Sequence, residues 1–544
     1  MLPLPIVLGV AAALAWLGFV LYDRRLEAHE RETVRRTWGA DVVRTRPFPL
    51  YREWFLSTEG AAASEAIDDQ TWLDLDLDRV FARADRTLSG PGRFVLYRLL
   101  RTPTSTAVLA SRDGLMDLFQ WNEAARDVVR GELSRAGRHC RADGDLADLL
   151  WGDPVQPGDS ATALAAFGLL GAVSLGAAFV YGGGAIPAAV VVFAVNGYIH
   201  QRARIRHQGT ASALVELGAL LRSAHGLSLI EDPALGPWRR RLQEGLRATR
   251  RLLRPLSLIS AGHLADMLYE YISVLLLLEA RALRSALRRV ADCRRELREL
   301  FMAVGELDAL QSAASFRQSL AVWSKPRISD RPAFLAVEGA VHPLLERPEG
   351  NSITLDHRGC LVTGANMAGK STFLRVLGVN AVLAQTLYTC AARGYVASPL
   401  RVLSSMGISD SLAEGRSLFL AEAERILEIV RASTGETPTL CLIDEMLTGT
   451  NTADRSVASR AVLAYLARRN AIVVAATHDP ELSDGLREVL EAYHFDDTAN
   501  AAGDMRHQLR PGITRDRNAF RLLAELGYPA EVIAALKAPV TRSS

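Results

Sequence analysis

The sequence predicts a C-terminal α/β domain behind an all-helical region, with three apolar segments of membrane length. Three observations carry that reading. A strand, a glycine-rich loop and a helix follow one another over 361–386; leucines recur at helical spacing over 66–155 and 208–330; and the segments 1–22 and 160–201 hold no charged side chain. A chain of 544 residues exceeds one compact core, so several domains are expected. Apolar residues at 49% and charged residues at 23% describe a globular rather than a disordered chain. A net charge of +2 leaves no global field that would draw in nucleic acid or an acidic partner.

The segment 1–22 reads as a membrane span. About 20 apolar residues at roughly 1.5 Å rise cross a hydrocarbon core of about 30 Å. A cleaved signal peptide is the competing reading; it fits less well, because no basic stretch precedes the apolar run and no A-x-A pattern follows it. The uncharged stretch 160–201 is long enough for two spans, and Gly182-Gly183-Gly184 with Pro187 supplies a turn. It predicts a membrane hairpin over about 161–181 and 185–200. Asp23-Arg24-Arg25 follows the first span, and Arg202, Arg204 and Arg206 follow the hairpin. The positive-inside rule then places 23–159 and everything after 202 in the cytoplasm, a multi-pass arrangement in the cytoplasmic (inner) membrane. Two buried core helices are the bland alternative, but a core helix rarely avoids charge for so long. By contrast 274–278, flanked by Asp266, Glu270 and Glu279, reads as a soluble core helix.

The domain order expected is a span (1–22), a short cytoplasmic linker (23–65), a helical part (66–160), the hairpin (161–200), a second helical part (201–330) and the α/β domain (331–544). The last boundary falls near 325–332, where short β-branched runs and glycine turns begin. The stretch 237–255 carries Arg239-Arg240-Arg241, Arg247, Arg250-Arg251 and Arg254; it is a candidate phosphate-contacting surface, although such a run is more often a solvated helix face. The five cysteines form no C-x-x-C pair, and an odd count argues against a disulfide framework, so they read as small core thiols in a reducing compartment.

The strand Leu361-Val362-Thr363 runs into Gly364-Ala365-Asn366-Met367-Ala368-Gly369-Lys370-Ser371-Thr372 and then a helix over 373–386. This is G-x-x-x-x-G-K-S in its proper strand–loop–helix context, a P-loop. The glycines let backbone N–H groups curl around phosphates, and the helix N-terminus adds its positive end. Lys370 would reach the β- and γ-phosphates of ATP, and Ser371 would offer its hydroxyl to Mg²⁺. Only Lys325, Lys370 and Lys537 are lysines in a chain otherwise rich in arginine, which fits a site that needs a slim point charge. A second buried strand, Thr439-Leu440-Cys441-Leu442-Ile443, ends in Asp444-Glu445. Asp444 there can hold the Mg²⁺ shell and Glu445 can polarise the attacking water. A third strand, 472–476, ends in Thr477-His478-Asp479, which sets His478 within reach of the γ-phosphate.

These residues resemble the MutS family more than a generic P-loop protein. The loop with Asn366-Met367 is similar to that family's G-P-N-M-x-G-K-S-T. The segment 406–419, from Met406-Gly407-Ile408-Ser409-Asp410 to Ser417-Leu418-Phe419, resembles its signature, Asp444-Glu445 with Gly449-Thr450 its D-E-x-x-x-G-T, and Ala476-Thr477-His478 its A-T-H. The tail 518–536, with Gly527-Tyr528-Pro529, looks like its helical dimerisation tail. Further likenesses lie upstream: Leu307-Asp308-Ala309-Leu310 and Val341-His342-Pro343, which resemble the lead-in to the ATPase domain, and, more weakly, Arg86-Thr87-Leu88-Ser89-Gly90, which looks like the start of a helical lever domain. The resemblance implies an ABC-type P-loop ATPase domain preceded by an all-α lever or core domain. It also implies a homodimer with composite sites, in which Ser417 of one subunit faces the γ-phosphate held by Lys370 of the other and Asp454 lies at the same seam. ATP would close the dimer and the levers would carry that closure to DNA.

The sequence departs from the family pattern at Ala365 (usually Pro), Leu418 (usually Thr) and Arg455 (usually Gly). Mismatch readers of the family drive a Phe-x-Glu wedge into the duplex; none of the 16 phenylalanines here is followed two positions later by Glu, and only 23–65 stands between the first span and the lever region. DNA binding would therefore rest on phosphate contacts. Two other readings compete: an ATP-driven membrane switch that acts on a protein or lipid partner without DNA, and a transporter ATPase, which the Asn366-Met367 loop and the signature segment disfavour.

Overall fold

The computed structural model describes residues 25, 29, 32–41, 44–59, 66–137, 144–155, 158, 160–262, 267–346, 348–364, 369–407, 418–449, 451–496, 507–513 and 528–529. The expected first span, the loop residues Ala365, Asn366, Met367 and Ala368, the signature segment through Ser417, and all of the tail but Tyr528 and Pro529 lie outside them.

In chain order the helices are α1 (Phe48–Glu59), α2 (Asp69–Asp74), α3 (Leu77–Ala84), α4 (Gly90–Arg101), α5 (Thr106–Trp121), α6 (Glu123–Gly137), α7 (Asp145–Trp151), α8 (Ala161–Tyr181), α9 (Ile186–Arg206), α10 (Gln208–Ser228), α11 (Gly236–Thr249), α12 (Leu253–Gly262), α13 (Met267–Leu276), α14 (Leu278–Asp292), α15 (Arg294–Ser319), α16 (Lys370–Thr386), α17 (Leu418–Ala432), α18 (Thr452–Leu466) and α19 (Pro480–Leu486). The strands are β1 (Arg327–Ile328), β2 (Phe334–Ala340), β3 (Asn351–Asp356), β4 (Cys360–Thr363), β5 (Gly394–Ala397), β6 (Arg401–Ser405), β7 (Thr439–Asp444), β8 (Ala471–Ala476), β9 (Glu491–Asp496) and β10 (Gln508–Pro511). The chain forms two compact units. One draws on 1–61, 82–99 and 111–319; the other on 62–81, 100–110 and 320–544.

The first unit is helical and is organised around α15. Leu297, Leu300, Phe301, Val304, Leu307 and Phe316 of this helix are buried, and Phe301 stacks edge-on with Trp151 beside Trp54 and Phe94. Asp308 is fully buried on the same helix. Its carboxylate accepts from the backbone N–H of Leu88 (2.9 Å) and Ser89 (2.7 Å), from the Ser89 hydroxyl (2.5 Å) and from the Gln311 amide (2.9 Å). Burial pushes its pKa up, and these donors oppose that shift. A side chain at Gly92 would strike the same carboxylate, which is why that turn takes a glycine. Two segments distant in sequence, 86–90 and 307–310, are thus joined by one buried acid. Of the arginine run, Arg241 donates to the Glu306 carboxylate at 2.7 Å.

The apolar stretch forms two antiparallel helices, α8 and α9, joined by Gly182–Gly184 and Ala185. Leu164, Ala203, Leu277 and Ala280 form a small core at the foot of this hairpin. The expectation of three spans needs correction. Among the described residues only Ala161–Gly184 is long and apolar enough to cross a membrane. The last turns of α9 are polar, with His200, Gln201, Arg202, Arg204 and Arg206, and its apolar run is too short to cross alone. The segment 274–278 falls at the junction of α13 and α14 and is buried or half-buried; α13 packs on both hairpin helices and exposes Tyr271 and Ile272. Asn196 of α9 donates to the carbonyls of Phe167 (3.2 Å) and Leu275 (2.7 Å), and Gly168 and Gly171 of α8 leave no room for a Cβ against the Leu276 and Leu275 carbonyls.

The second unit holds two sheets. The larger has the order β10-β9-β4-β8-β7-β6, parallel except for the antiparallel edge strand β10. The smaller has the order β1-β5-β2-β3. Strands β4 and β8 are buried throughout and β7 along all but its last residue, as expected for a sheet covered on both faces. Helix α2, read from sequence as part of the helical region, packs into this unit. Asp74 accepts from the Ser404 hydroxyl (2.7 Å) and the Met406 N–H (2.9 Å), and Thr71 accepts from Arg425 (2.8 Å). Cys360, Cys390 and Cys441 are buried free thiols and Cys293 is a half-buried one.

Replacing Asp308 by Ala leaves the buried Ser89 N–H and the part-buried Leu88 N–H unsatisfied. It should lower the stability of the first unit by about 3–5 kcal/mol, while Asp308→Asn should cost less. Denaturant titration of the solubilised protein checks this; equal stability of wild type and the alanine variant would refute it.

Candidate active site

Parallel pairing sets the chemistry-bearing residues at one edge of the larger sheet. Val362 of β4 lies opposite Ala476 of β8, and Ala476 lies opposite Asp444 of β7. The loop after β4, Asp444-Glu445 after β7 and Thr477-His478 after β8 therefore emerge side by side at the C-terminal strand ends. The Thr477 N–H donates to Val362 O (3.1 Å) and the Glu445 N–H to Ala476 O (3.1 Å), which extends the ladder one residue into each loop.

Gly364 (φ 145°) and Gly369 (φ 102°) take backbone conformations closed to most side chains, and they bracket the loop. Helix α16 begins at Lys370. Lys370 is 6% exposed and its Nζ donates to the Gly364 carbonyl at 2.8 Å. Ser371 donates its hydroxyl to the Asp444 carboxylate. Burial pushes the Asp444 pKa up; the Ser371 bond opposes this, the Glu445 charge adds to it, and Lys370 opposes it. A buried lysine, a hydroxyl and a part-buried carboxylate thus surround the start of one helix. That donor set fits a phosphate chain and a hard divalent cation: Lys370 and the α16 N-terminus would hold the phosphates, and Ser371 with Asp444 would hold Mg²⁺. Thr372 follows in the first turn of α16.

Glu445 (φ 50°) and Leu447 (φ 54°) both lie in the left-handed region, which non-glycine residues rarely adopt. The turn aims the Glu445 side chain at β8, where its Oε1 shares a 2.8 Å hydrogen bond with His478 Nδ1. From sequence, His478 reads as a group that meets the γ-phosphate directly. The contact the structure shows is to Glu445, the carboxylate expected to polarise water. The half-buried Arg455 of α18 lines the same small cavity as Glu445 and His478. Asp454, one residue earlier, is exposed, and its N–H is capped by Asn451 at 2.9 Å. Ser417 and the loop residues 365–368 lie outside the described residues.

One contributor escaped the sequence reading. Glu422 of α17 is buried; it accepts from the Thr448 hydroxyl (2.6 Å) and the Gly449 N–H (3.4 Å). A Cβ at Gly449 would come within 2.8 Å of the Phe419 N, so this approach needs glycine. The loop that follows Glu445 is thereby tied to the first turns of the helix that follows the signature segment. The signal was present: Glu422 shares the buried face of Ile426 and Ile429 at i+4 and i+7.

A family model for MutS domain V matches residues 360–542. Over 267 residues the chain is 31% identical to the DNA mismatch repair protein MutS of Natronomonas pharaonis, covering 47% of this chain and 31% of that protein. It is 32% identical over 277 residues to the DNA mismatch repair protein MutS of Thermus aquaticus, covering 47% and 34%, and 32% identical over 256 residues to the DNA mismatch repair protein MutS 2 of Halobacterium salinarum, covering 45% and 29%. The matched segment spans about a third of the length of these curated relatives.

Removing the Glu422 carboxylate strips the Thr448 hydroxyl and the Gly449 N–H of their acceptor. Glu422→Ala should therefore destabilise the second unit by about 1–3 kcal/mol. It should also raise proteolytic sensitivity at the loop near Gly449; unchanged cleavage kinetics there would refute the clamp.

Proposed function

Because the chain belongs to the MutS family, we propose that it is an Mg²⁺-dependent ATPase of the mismatch-repair type, working as a homodimer anchored to the cytoplasmic membrane. The observation that carries the ATPase is the meeting of Lys370, Ser371, Asp444, Glu445 and His478 at one sheet edge. Mg²⁺, when bound, neutralises charge on the β- and γ-phosphates. Lys370 holds those phosphates by exchanging its Gly364 carbonyl bond for phosphate oxygens. Glu445 orients and deprotonates water, and His478 holds the Glu445 carboxylate through its hydrogen bond.

Dimerisation rests on the family likeness and on an incomplete cradle. A P-loop covers one side of the γ-phosphate and leaves the other for Ser417 of a second subunit; Asp454, which the family likeness puts at the same seam, is exposed. Membrane anchoring rests on α8. Leu169, Val173, Leu175 and Val180 are exposed, and Phe179 is 93% exposed, so this helix is not a buried core helix. We read α8 with α9 as a hairpin inserted from the cytoplasmic side, the polar end of α9 staying at the base. DNA, if engaged, would be held through phosphates, with steep salt dependence and little sequence preference. A membrane switch acting on a non-DNA partner uses the same cycle, and salt-dependent binding of the solubilised protein to homoduplex, mismatched and branched DNA separates the two.

Two measurements test the enzyme. Glu445→Gln should slow ATP hydrolysis by roughly a hundredfold or more while ATP affinity changes little; unchanged turnover would remove Glu445 from its role. Mixing inactive Lys370→Ala with inactive Ser417→Arg protein should restore activity, since each heterodimer then contains one intact composite site. No recovery in verified heterodimers would refute the trans arrangement.

A further inference from the structure

We propose that an arginine-lined cleft at the foot of α8 binds the phosphate headgroup of an anionic membrane phospholipid, with the acyl chains lying along the apolar face of that helix. The inference rests on the reading of α8 as a bilayer-inserted helix. The cleft measures about 730 Å³, within the range of small-molecule sites. One wall is α14, whose Arg281, Arg284, Arg288 and Arg289 fall at helical spacing along one face; Arg251, just beyond α11, adds a fifth guanidinium. Only two carboxylates, Asp292 and Glu296, line the same space. Like charges three and four residues apart on a helix repel. No described residue relieves Arg251, Arg281 or Arg288 by an ion pair or side-chain hydrogen bond, whereas Arg289 is held by Ser285 at 3.2 Å.

The other wall identifies the ligand. It is the first turn of α8, contributing Ala161, Leu164 and Ala165. The first turn of a 21-residue helix, where its positive end lies, therefore borders the cleft beside the arginines. From this turn outward α8 becomes an exposed apolar rod. The return helix brings its own basic end to the same base, since a Cβ on Gly158 would lie 2.1 Å from Arg206 Nη1. A cationic cleft at the root of an apolar rod matches a molecule with an anionic head and two apolar tails. A DNA backbone matches it poorly: phosphate tracking calls for an extended basic face, and here apolar side chains share the lining.

The test uses the full chain in detergent, then reconstituted into phosphatidylcholine vesicles with or without phosphatidylglycerol. Wild type should insert into both and should bind a fluorescent phosphatidylglycerol in preference to the phosphatidylcholine analogue. The triple variant R281Q/R284Q/R288Q should still insert, yet bind the anionic lipid roughly tenfold or more weakly. R281K/R288K, which keeps the charge, should retain most of the preference and serves as the folding control. Failure of wild type to insert into either vesicle would overturn the membrane reading itself. Insertion with equal phosphatidylglycerol affinity in wild type and the triple variant would overturn the cleft alone. Full competition by inorganic phosphate would show a free-anion site, and loss of duplex DNA binding with lipid affinity intact would show a nucleic-acid surface; either result overturns the proposal.

Discussion

The parallel ladder through β4, β8 and β7 is the constraint on which the site depends. Each strand contributes one short piece of chemistry, and none can act alone: a lysine that bonds the Gly364 carbonyl, a carboxylate pair, a histidine. The ladder fixes Val362, Ala476 and Asp444 in one row, so the residues that follow must leave the sheet together. Once they leave, local backbone does the aiming. Gly364 and Gly369 admit the left-handed turns of the loop, while Glu445 adopts such a turn without being glycine. That conformation costs of order 1–3 kcal/mol, and the surrounding sheet and the Glu422-anchored loop hold it in place. The strain falls on the residue whose side chain must meet His478.

Buried acids do the corresponding work at longer range. Asp308 in the first unit and Asp74 in the second each collect donors from segments more than two hundred residues away in sequence. An apolar side chain at either position would leave backbone N–H groups without partners, at a cost comparable to the net worth of several ordinary hydrogen bonds. This explains how short, weakly patterned segments such as 86–90 can be placed accurately. Their position is fixed by a carboxylate that accepts from their own backbone, and hydrophobic burial alone would leave it loose.

The parts legible in the sequence were those with strong local signatures. The strand–loop–helix run around Lys370, the buried strand before Asp444 and the strand before His478 each announce themselves by apolar runs ending in polar residues, and β4, β7 and β8 begin within one residue of those runs. What resisted reading was pairing across distance. The sequence offers no clue that Asp74 bonds Ser404, because neither residue sits in a periodic pattern. Glu422 lay within reach, yet a glutamate between two alanines on a helix reads as solvent-facing until the phase of Ile426 and Ile429 is applied. The hairpin divides the same way. The absence of charge over 160–201 is plain, whereas the early polar end of α9 becomes meaningful once Leu164, Ala203, Leu277 and Ala280 are seen to form a base at that level.

The exposed face of α8 imposes the final physical demand. Fully burying one large aliphatic or aromatic side chain is worth about 1.5–3 kcal/mol, and Leu169, Val173, Leu175, Phe179 and Val180 all forgo most of that in water. A soluble surface rarely tolerates such a contiguous strip, so the helix needs an apolar surrounding that the described residues do not supply. The adjoining arginines narrow the choice. A second protein could cover the apolar rod, but it would then have to bring anions to the cleft at the foot of the helix. An anionic bilayer brings both at the correct levels, with hydrocarbon against the rod and phosphate at its root. The polarity of the hairpin, basic at one end and uncharged at the other, is thus explained by a single partner in place of two.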